Sequence, residues 1–229
     1  SSADLPFLNK YRKLLNCIVS ILHICLPVGI NSMSYSRSQV VTTAILAILG
    51  TPAISTKIYL SSIFFYLYVV GMSLGSATSL IIGWLMGAEE YDKAYRLSLQ
   101  NLRIAVLLNL IGSTLICIFG RPLLHLFTDD PAIFAMAAPI FFVDIFVEIG
   151  RAFNHIEDNS LRGAGDVMFS MVVSIFSSWA MSILFSYILG VRLGLGLTGC
   201  WIAFMMDELF RGLTFFFRGR SRRWTRKYI

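Results

Sequence analysis

The sequence predicts an all-α fold: a polytopic transmembrane helical bundle of about six spanning helices. Two observations carry this. Of 229 residues, 56% are hydrophobic and 14% charged, with a mean hydropathy of +0.72, too little polar surface for a water-soluble domain. The apolar residues also fall into runs of about 20 or more, the length a helix needs to cross a bilayer, separated by short breaks rich in Gly, Pro and charge.

Residues 1–25 read as a polar linker and an interfacial helix, N-K-Y-R-K-L-L-N-C-I-V-S, held at a lipid surface by Lys10, Arg12 and Lys13. Residues 26–217 form the transmembrane unit, and 218–229 a basic tail. The first span runs from Pro27 to Leu49. Asn31, Ser34, Tyr35, Ser38 and Thr42 recur along it at helical steps, so one face meets protein or water rather than lipid, and Arg37 is expected to be paired within the bundle.

Gly50-Thr51-Pro52 breaks the chain before a long apolar segment from Ala53 to about Met86. Its length predicts tilt or bending, and Gly71, Gly75 and Gly83 predict close packing or a hinge. After the charged turn G-A-E-E-Y-D-K, a third span covers about Leu97 to Phe119, with Arg103 near enough to its start to snorkel. Asp130-Pro131 reads as the start of the fourth, which extends to about Ser160. The fifth covers about Met168 to Leu189, and the sixth, about Cys200 to Phe217, contains Asp207, Glu208 and Arg211.

The fourth span is the anomaly. Asp144, Glu148, Arg151, His155, Asp158 and Arg162 follow one another at steps of three or four, which places a charged stripe on one face of a hydrophobic helix. A charge at the centre of a spanning helix costs roughly 2.5–3.5 kcal/mol, whereas a large aliphatic contributes only about 0.3–0.6. The stripe therefore faces the bundle interior. Two accounts of it stand side by side. In one, Glu148 with Arg151, and Asp207 or Glu208 with Arg211, are structural ion pairs that lock helices together. In the other, one carboxylate, Glu148 foremost, loses and gains a proton or a sodium ion.

Other chemistry is poorly supported. H-I-E-D, with His155, Glu157 and Asp158 near the water-accessible end of the fourth span, puts its side chains on diverging faces, so no metal site is expected. Cys17, Cys25, Cys117 and Cys200 show no C-x-x-C spacing and read as free thiols. No nucleophile elbow, P-loop or zincin pattern occurs, so an enzyme is not expected; an intramembrane enzyme would depend on His155 or Asp158. The net charge of +6 does not point to nucleic acid, because seven of the 19 basic residues lie at or after Arg211, flanking an apolar segment. Lys10, Arg12, Lys13, Lys93, Arg96, Arg162 and the C-terminal cluster fall on one side, against Lys57, Arg121 and Arg192 on the other, which predicts both termini in the cytoplasm. The chain opens with Ser and has no cleavable leader pattern, which reads as an excised part of something longer.

L-P-V-G-I-N-S-M-S-Y-S-R-S-Q-V-V, L-G-T-P-A-I-S-T-K-I-Y, I-I-G-W-L-M-G-A-E-E-Y-D-K-A-Y-R, E-I-G-R-A-F-N-H-I-E-D-N-S-L-R-G-A-G-D and G-L-G-L-T-G-C-W-I-A-F-M-M-D-E-L-F-R-G resemble, in order, segments of the multidrug and toxic compound extrusion (MATE) transporters. The resemblance implies the C-terminal of two six-helix lobes, with residues 1–25 as the segment joining them. It implies exchange of organic cations or drugs for protons or sodium at a bacterial inner membrane, with no further cofactor. A lobe-interior polar network of Glu148, Arg151, Asn154, Asp207, Glu208, Arg211, Asn31 and Asp144 is implied with it. Asn31 stands where this branch usually carries an acid, and His155, Glu157 and Asp158 where relatives are largely aliphatic. The implied partners are the lipid bilayer, the cation substrates, and an N-terminal lobe or a second six-helix half that covers the polar face. The alternatives are an inactive half-transporter or structural membrane subunit, and a flippase for lipid-linked oligosaccharides, which calls for a more basic cavity.

Overall fold

The computed structural model describes residues 5–226. It is all-α, with six long helices: α1 (Leu5–Ile48), α2 (Thr51–Gly87), α3 (Tyr91–His125), α4 (Pro131–Gly163), α5 (Val167–Arg192) and α6 (Gly196–Arg220), followed by a 3₁₀ turn, Arg223–Arg226. One continuous helix thus covers both the stretch expected to lie at the interface and the first span. Residues 1–4 and the side chains of Lys10, Arg12, Lys13 and Cys17 lie outside the described residues.

Helices α2 to α5 are long and apolar enough to cross a membrane. Helix α6 is interrupted at its centre by Asp207, Glu208 and Arg211, and α1 carries the polar run around Asn31. At about 1.5 Å per residue the 37 residues of α2 extend well beyond a hydrocarbon core of roughly 30 Å.

The turns use the chemistry foreseen for them. Gly50 takes a positive φ of 96° ahead of Pro52 in the first turn of α2, and the Asp130 carboxylate accepts from Ala132 N at 2.9 Å to cap α4. In α5 only Val167–Ser177 is α-helical; the rest widens into π-helical winding over Ser178–Leu184 and Ser186–Arg192. Its buried face is a ladder of small hydroxyls: Ser170, Ser174, Ser177, Ser178, Ser182 and Ser186.

The packing is that of a membrane bundle, with small and polar residues inside and large apolar ones outside. Ala94, Ser98, Ala105, Asn109 and Ser113 line the buried face of α3, while Leu107, Ile111, Leu115 and Ile118 are exposed on the other. Helix α4 is the central element and packs against α2, α3 and α6; α1 lies against α5. Two apolar clusters mark the ends of the bundle, one around Leu60, Phe64, Leu124, Ile140 and Trp201, the other around Ile82, Met86, Leu161, Phe215 and Trp224.

Close helix approach depends on glycine. A Cβ at Gly75 would meet the His155 carbonyl at 2.7 Å, so the α2 glycines serve packing against α4. A Cβ at Gly212 would meet the Gly150 carbonyl at 2.8 Å, and one at Gly150 the Leu209 nitrogen at 2.9 Å. Gly212→Leu should therefore push α6 off α4 and destabilise the fold by about 1–3 kcal/mol or more. Gly29, with no atom within 4 Å of a built Cβ, is the control. Thermal retention of monodisperse protein in detergent should fall for Gly212→Leu and not for Gly29→Leu.

Candidate functional site

Between the two apolar clusters, α4 and α6 meet through charged side chains. Glu148 is fully buried on α4. One of its carboxylate oxygens accepts from Arg151 Nη1, one turn on, and the other accepts from Asn109 Nδ2 of α3 at 3.1 Å. Arg151 reaches toward α6, where its Nε stands 3.9 Å from Glu208 Oε1. The same Glu208 oxygen lies 3.1 Å from Arg211 Nη2, and its other oxygen accepts from Asn154 Nδ2 at 2.7 Å. Arg211 also pairs with Asp207 at 2.8 Å, and Asp207 accepts from the hydroxyl of Ser177 on α5. Four helices are joined in one polar chain, Asn109–Glu148–Arg151–Glu208–Arg211–Asp207–Ser177. Both intrahelical ion pairs expected from the spacing are present.

Asp144 lies one turn before Glu148, 1% exposed. Its Oδ1 accepts from Trp201 Nε1 at 2.8 Å, while its buried Oδ2 has no partner among the described residues. Glu148, Asp207 and Glu208 therefore share two guanidinium groups, Arg151 and Arg211, and Asp144 beside them contacts neither. A carboxylate held out of water needs a compensating positive charge. As ionised groups the acids outnumber their direct cationic partners.

The network opens onto two cavities. One, of about 170 Å³, is lined by Tyr35, Gln39, Lys57, Arg151, Trp201 and Glu208 among others. Lys57 binds Thr43 Oγ1 at 3.1 Å, and no ion pair joins it to a carboxylate among the described residues. The other, of about 290 Å³, is lined by Asn31, Tyr35, Tyr68, Asn154, Asp158 and Glu208 among others. Tyr35, Glu208 and Arg211 border both, so these three side chains form the partition between them. Tyr68 faces Arg151 with its ring centroid 5.9 Å from the guanidinium carbon.

Of the residues singled out from the sequence, Glu148, Arg151, Asn154, Asp207, Glu208 and Arg211 come together; Asp144 adjoins them; Asn31 stands apart on α1, in the wall of the second cavity. Two expectations are corrected. Arg37 is exposed and makes no ion pair among the described residues, because α1 turns it away from the bundle. Glu157 is 3% exposed rather than water-accessible, because α3 and α6 close over it. His155, Glu157 and Asp158 also reach different neighbours: His155 stacks edge-on against Tyr68 at 5.3 Å, Glu157 meets Ser98, and Asp158 pairs with Arg162 at 2.7 Å and accepts from Ser170. Among the described residues no three His, Cys, Asp or Glu side chains converge as a metal set. Sequence reasoning missed Asn109, Ser177 and Trp201. Only Asn109 carried a signal, a lone amide in the apolar run V-L-L-N-L-I-G.

Known proteins resemble this chain in sequence and in fold. Residues 27–188 match the sequence model of the MatE family. The chain is 36% identical over 207 residues to the uncharacterized transporter YisQ of Bacillus subtilis, covering 90% of this chain and 46% of that protein. It is 24% identical over 191 residues to the probable multidrug resistance protein NorM of Pasteurella multocida, covering 82% and 41%. The fold superposes on a multidrug resistance MATE family transporter of the MOP superfamily in an outward-facing conformation, with a TM-score of 0.80 at 21% identity, covering 88% of this chain and 46% of that one. A MATE crystal structure in the bent conformation gives 0.81 at 22% identity, with 89% and 45% covered. The chain spans about half the length of the curated relatives it matches.

Proposed function

The chain belongs to the MatE family of membrane transporters, and on that premise we propose that it is the C-terminal six-helix lobe of a secondary antiporter that exports organic cations or drugs in exchange for protons or sodium. The family is one of transporters and not of enzymes, and the chain is a multi-pass membrane protein. The observation that carries the proposal is the surplus of acid at the centre of the bundle: Glu148, Asp207 and Glu208 pair with two guanidinium groups, and a fourth buried carboxylate, Asp144, is held only by an indole N–H. Such an arrangement has an energetic need for a mobile positive charge.

In this reading Glu148 is the coupling carboxylate and Arg151 the group that senses it. Arg151 already stands between Glu148 and Glu208. When Glu148 takes up a proton or a sodium ion it loosens its hold on Arg151, which then pairs with Glu208. That shifts charge toward the partition between the two cavities and changes what each of them attracts. A substrate cation and the coupling ion compete for the same acids, which is the basis of exchange.

The polar face needs a cover, and we assign that role to an N-terminal lobe or a second six-helix half, related to this one by an axis along the membrane normal. Lys93, Arg96, Arg162 and the Arg218–Arg223 cluster gather at one end of the bundle, which supports a bacterial inner-membrane orientation with that end and both termini in the cytoplasm. An inactive half or structural subunit is the rival that the neutral Asn31 favours. A flippase would require a cavity in which bases outnumber acids, and the cavity walled by Lys57, Arg151 and Arg211 against Asp207 and Glu208 is the observation that favours this second rival.

Expression of the full-length gene in a drug-hypersensitive bacterium tests the proposal. Accumulation of a lipophilic fluorescent cation should fall below that of vector-bearing cells, and equal accumulation at confirmed membrane expression would contradict it.

A further inference from the structure

A second buried acid lies outside the α4–α6 network. Glu157 is 3% exposed and has no ion-pair partner among the described residues. It lies where α3, α4 and α6 converge near the end of the bundle that carries the α2–α3 and α4–α5 turns, facing Ser98 and Ser160. The cavity there, walled by Leu99, Phe216, Gly219 and Trp224 among others, has a volume of about 10 Å³, room for one water-sized body. Glycine creates this space: a Cβ at position 219 would stand 2.6 Å from Glu157 Oε2. Arg220 and Tyr95 border the cavity, but neither hydrogen-bonds nor pairs with the carboxylate among the described residues.

The hydrogens in this cluster do not suffice. Ser160 Oγ donates its single hydrogen to the Ile156 carbonyl at 2.7 Å. Ser98 Oγ then faces Ser160 Oγ at 2.9 Å and Glu157 Oε1 at 3.4 Å with one hydrogen for both contacts. Three oxygen-bearing side chains from two helices turn toward one another and lack one positive centre. A water molecule would satisfy the oxygens but leave the charge of a buried carboxylate uncompensated. A proton on Glu157 would remove the charge and supply the missing hydrogen, but the glycine-made space would then need a separate water to fill it. A small dehydrated monovalent cation does both, and one carboxylate with two hydroxyls is a hard-oxygen set that balances a single charge.

We propose that Glu157, Ser98 and Ser160 form a binding site for a sodium-sized monovalent cation, separate from the central network. The site joins α3 to α4, and Trp224, which donates to the Gly219 carbonyl at 2.7 Å, closes it beside Arg220. Bound cation therefore ties α3 to the helix that carries Glu148, beneath the C-terminal turn.

Calorimetric titration of NaCl into the full-length protein in detergent, at constant ionic strength and pH, tests this, with KCl and choline chloride as comparators. The protein should carry Glu148→Gln, so that binding at the central network is not read. Saturable sodium heat is expected in that background and none with choline. Glu157→Gln should abolish it, and Ser98→Ala, which removes one ligand with little change in volume, should weaken it by about tenfold or more. No sodium binding in the Glu148→Gln protein, or binding unaltered by both further substitutions, would overturn the site. A potassium response equal to that of sodium would overturn the assignment of ion size. Because binding is read without transport, failure here leaves the antiporter reading standing, and loss of transport leaves this site standing.

Discussion

Glu148→Gln in the full-length protein is expected to abolish ion-coupled efflux while leaving membrane insertion intact. Gln has nearly the shape of Glu, and its oxygen can still accept from Asn109. What it cannot do is gain and lose a positive charge or hold Arg151 by ion pairing. Arg151, freed from Glu148, settles on Glu208, now 3.9 Å away, and the network is fixed in one of its two arrangements. The desolvation cost of the buried carboxylate disappears with its charge and Glu208 remains to compensate Arg151, so the loss of stability should be small beside that of Arg211→Ala. Flux of a fluorescent cation, normalised to protein quantified in the membrane, provides the check. Flux equal to that of the parent would eliminate Glu148 as the coupling residue and return the Glu148–Arg151 pair to a structural role.

Arg211→Ala is expected to have the largest effect on the fold. Arg211 is 7% exposed and contacts Asp207 at 2.8 Å and Glu208 at 3.1 Å. Its removal leaves two acids inside a membrane bundle, with only Arg151 at 3.9 Å from one of them. Breaking a buried pair by deleting one partner typically costs about 3–5 kcal/mol, because the remaining charge is uncompensated. A denaturant or thermal unfolding series in detergent should therefore show a large loss for Arg211→Ala. Adding Asp207→Asn and Glu208→Gln should recover most of that loss, since the triple variant buries no unpaired charge there. If Arg211→Ala were as stable as the parent, the acids would be solvated in the folded protein and the partition between the two cavities would not exist as described.

The two substitutions separate kinds of buried charge that look alike in sequence. Glu148 and Arg151, three residues apart, and Asp207 and Arg211, four apart, were both legible as ion pairs because helical spacing fixes which side chains share a face. The burial of the α4 stripe followed from cost alone, and the capped start of α4 from Asp130-Pro131. Spacing along one helix could not show which helix lies opposite. Asn109 and Ser177 complete the hydrogen bonding of Glu148 and Asp207 from α3 and α5, and only packing brings them there. Nor could spacing show that the indole N–H of Trp201, on α6, holds Asp144.

The misread residues share a cause. Glu157 sits near the end of α4, where position along the helix suggests water, but α3 and α6 extend far enough to bury it. Arg37 sits mid-helix, where position suggests burial, but α1 packs on one side only and leaves it exposed. Depth along a helix and orientation around it are independent, and hydropathy reports only the first. The π-helical winding of α5 had no sequence signal beyond its serines.

The central claim, that the acid surplus between α4 and α6 serves exchange of an organic cation for a coupling ion, is tested most directly in everted membrane vesicles containing the full-length gene product. Uptake of a fluorescent cation into the vesicles is followed while an inside-acid proton gradient and then an inside-high sodium gradient are imposed. The account predicts uptake driven by at least one of the two gradients and collapsed by the matching ionophore. No gradient-dependent uptake with either ion would contradict it.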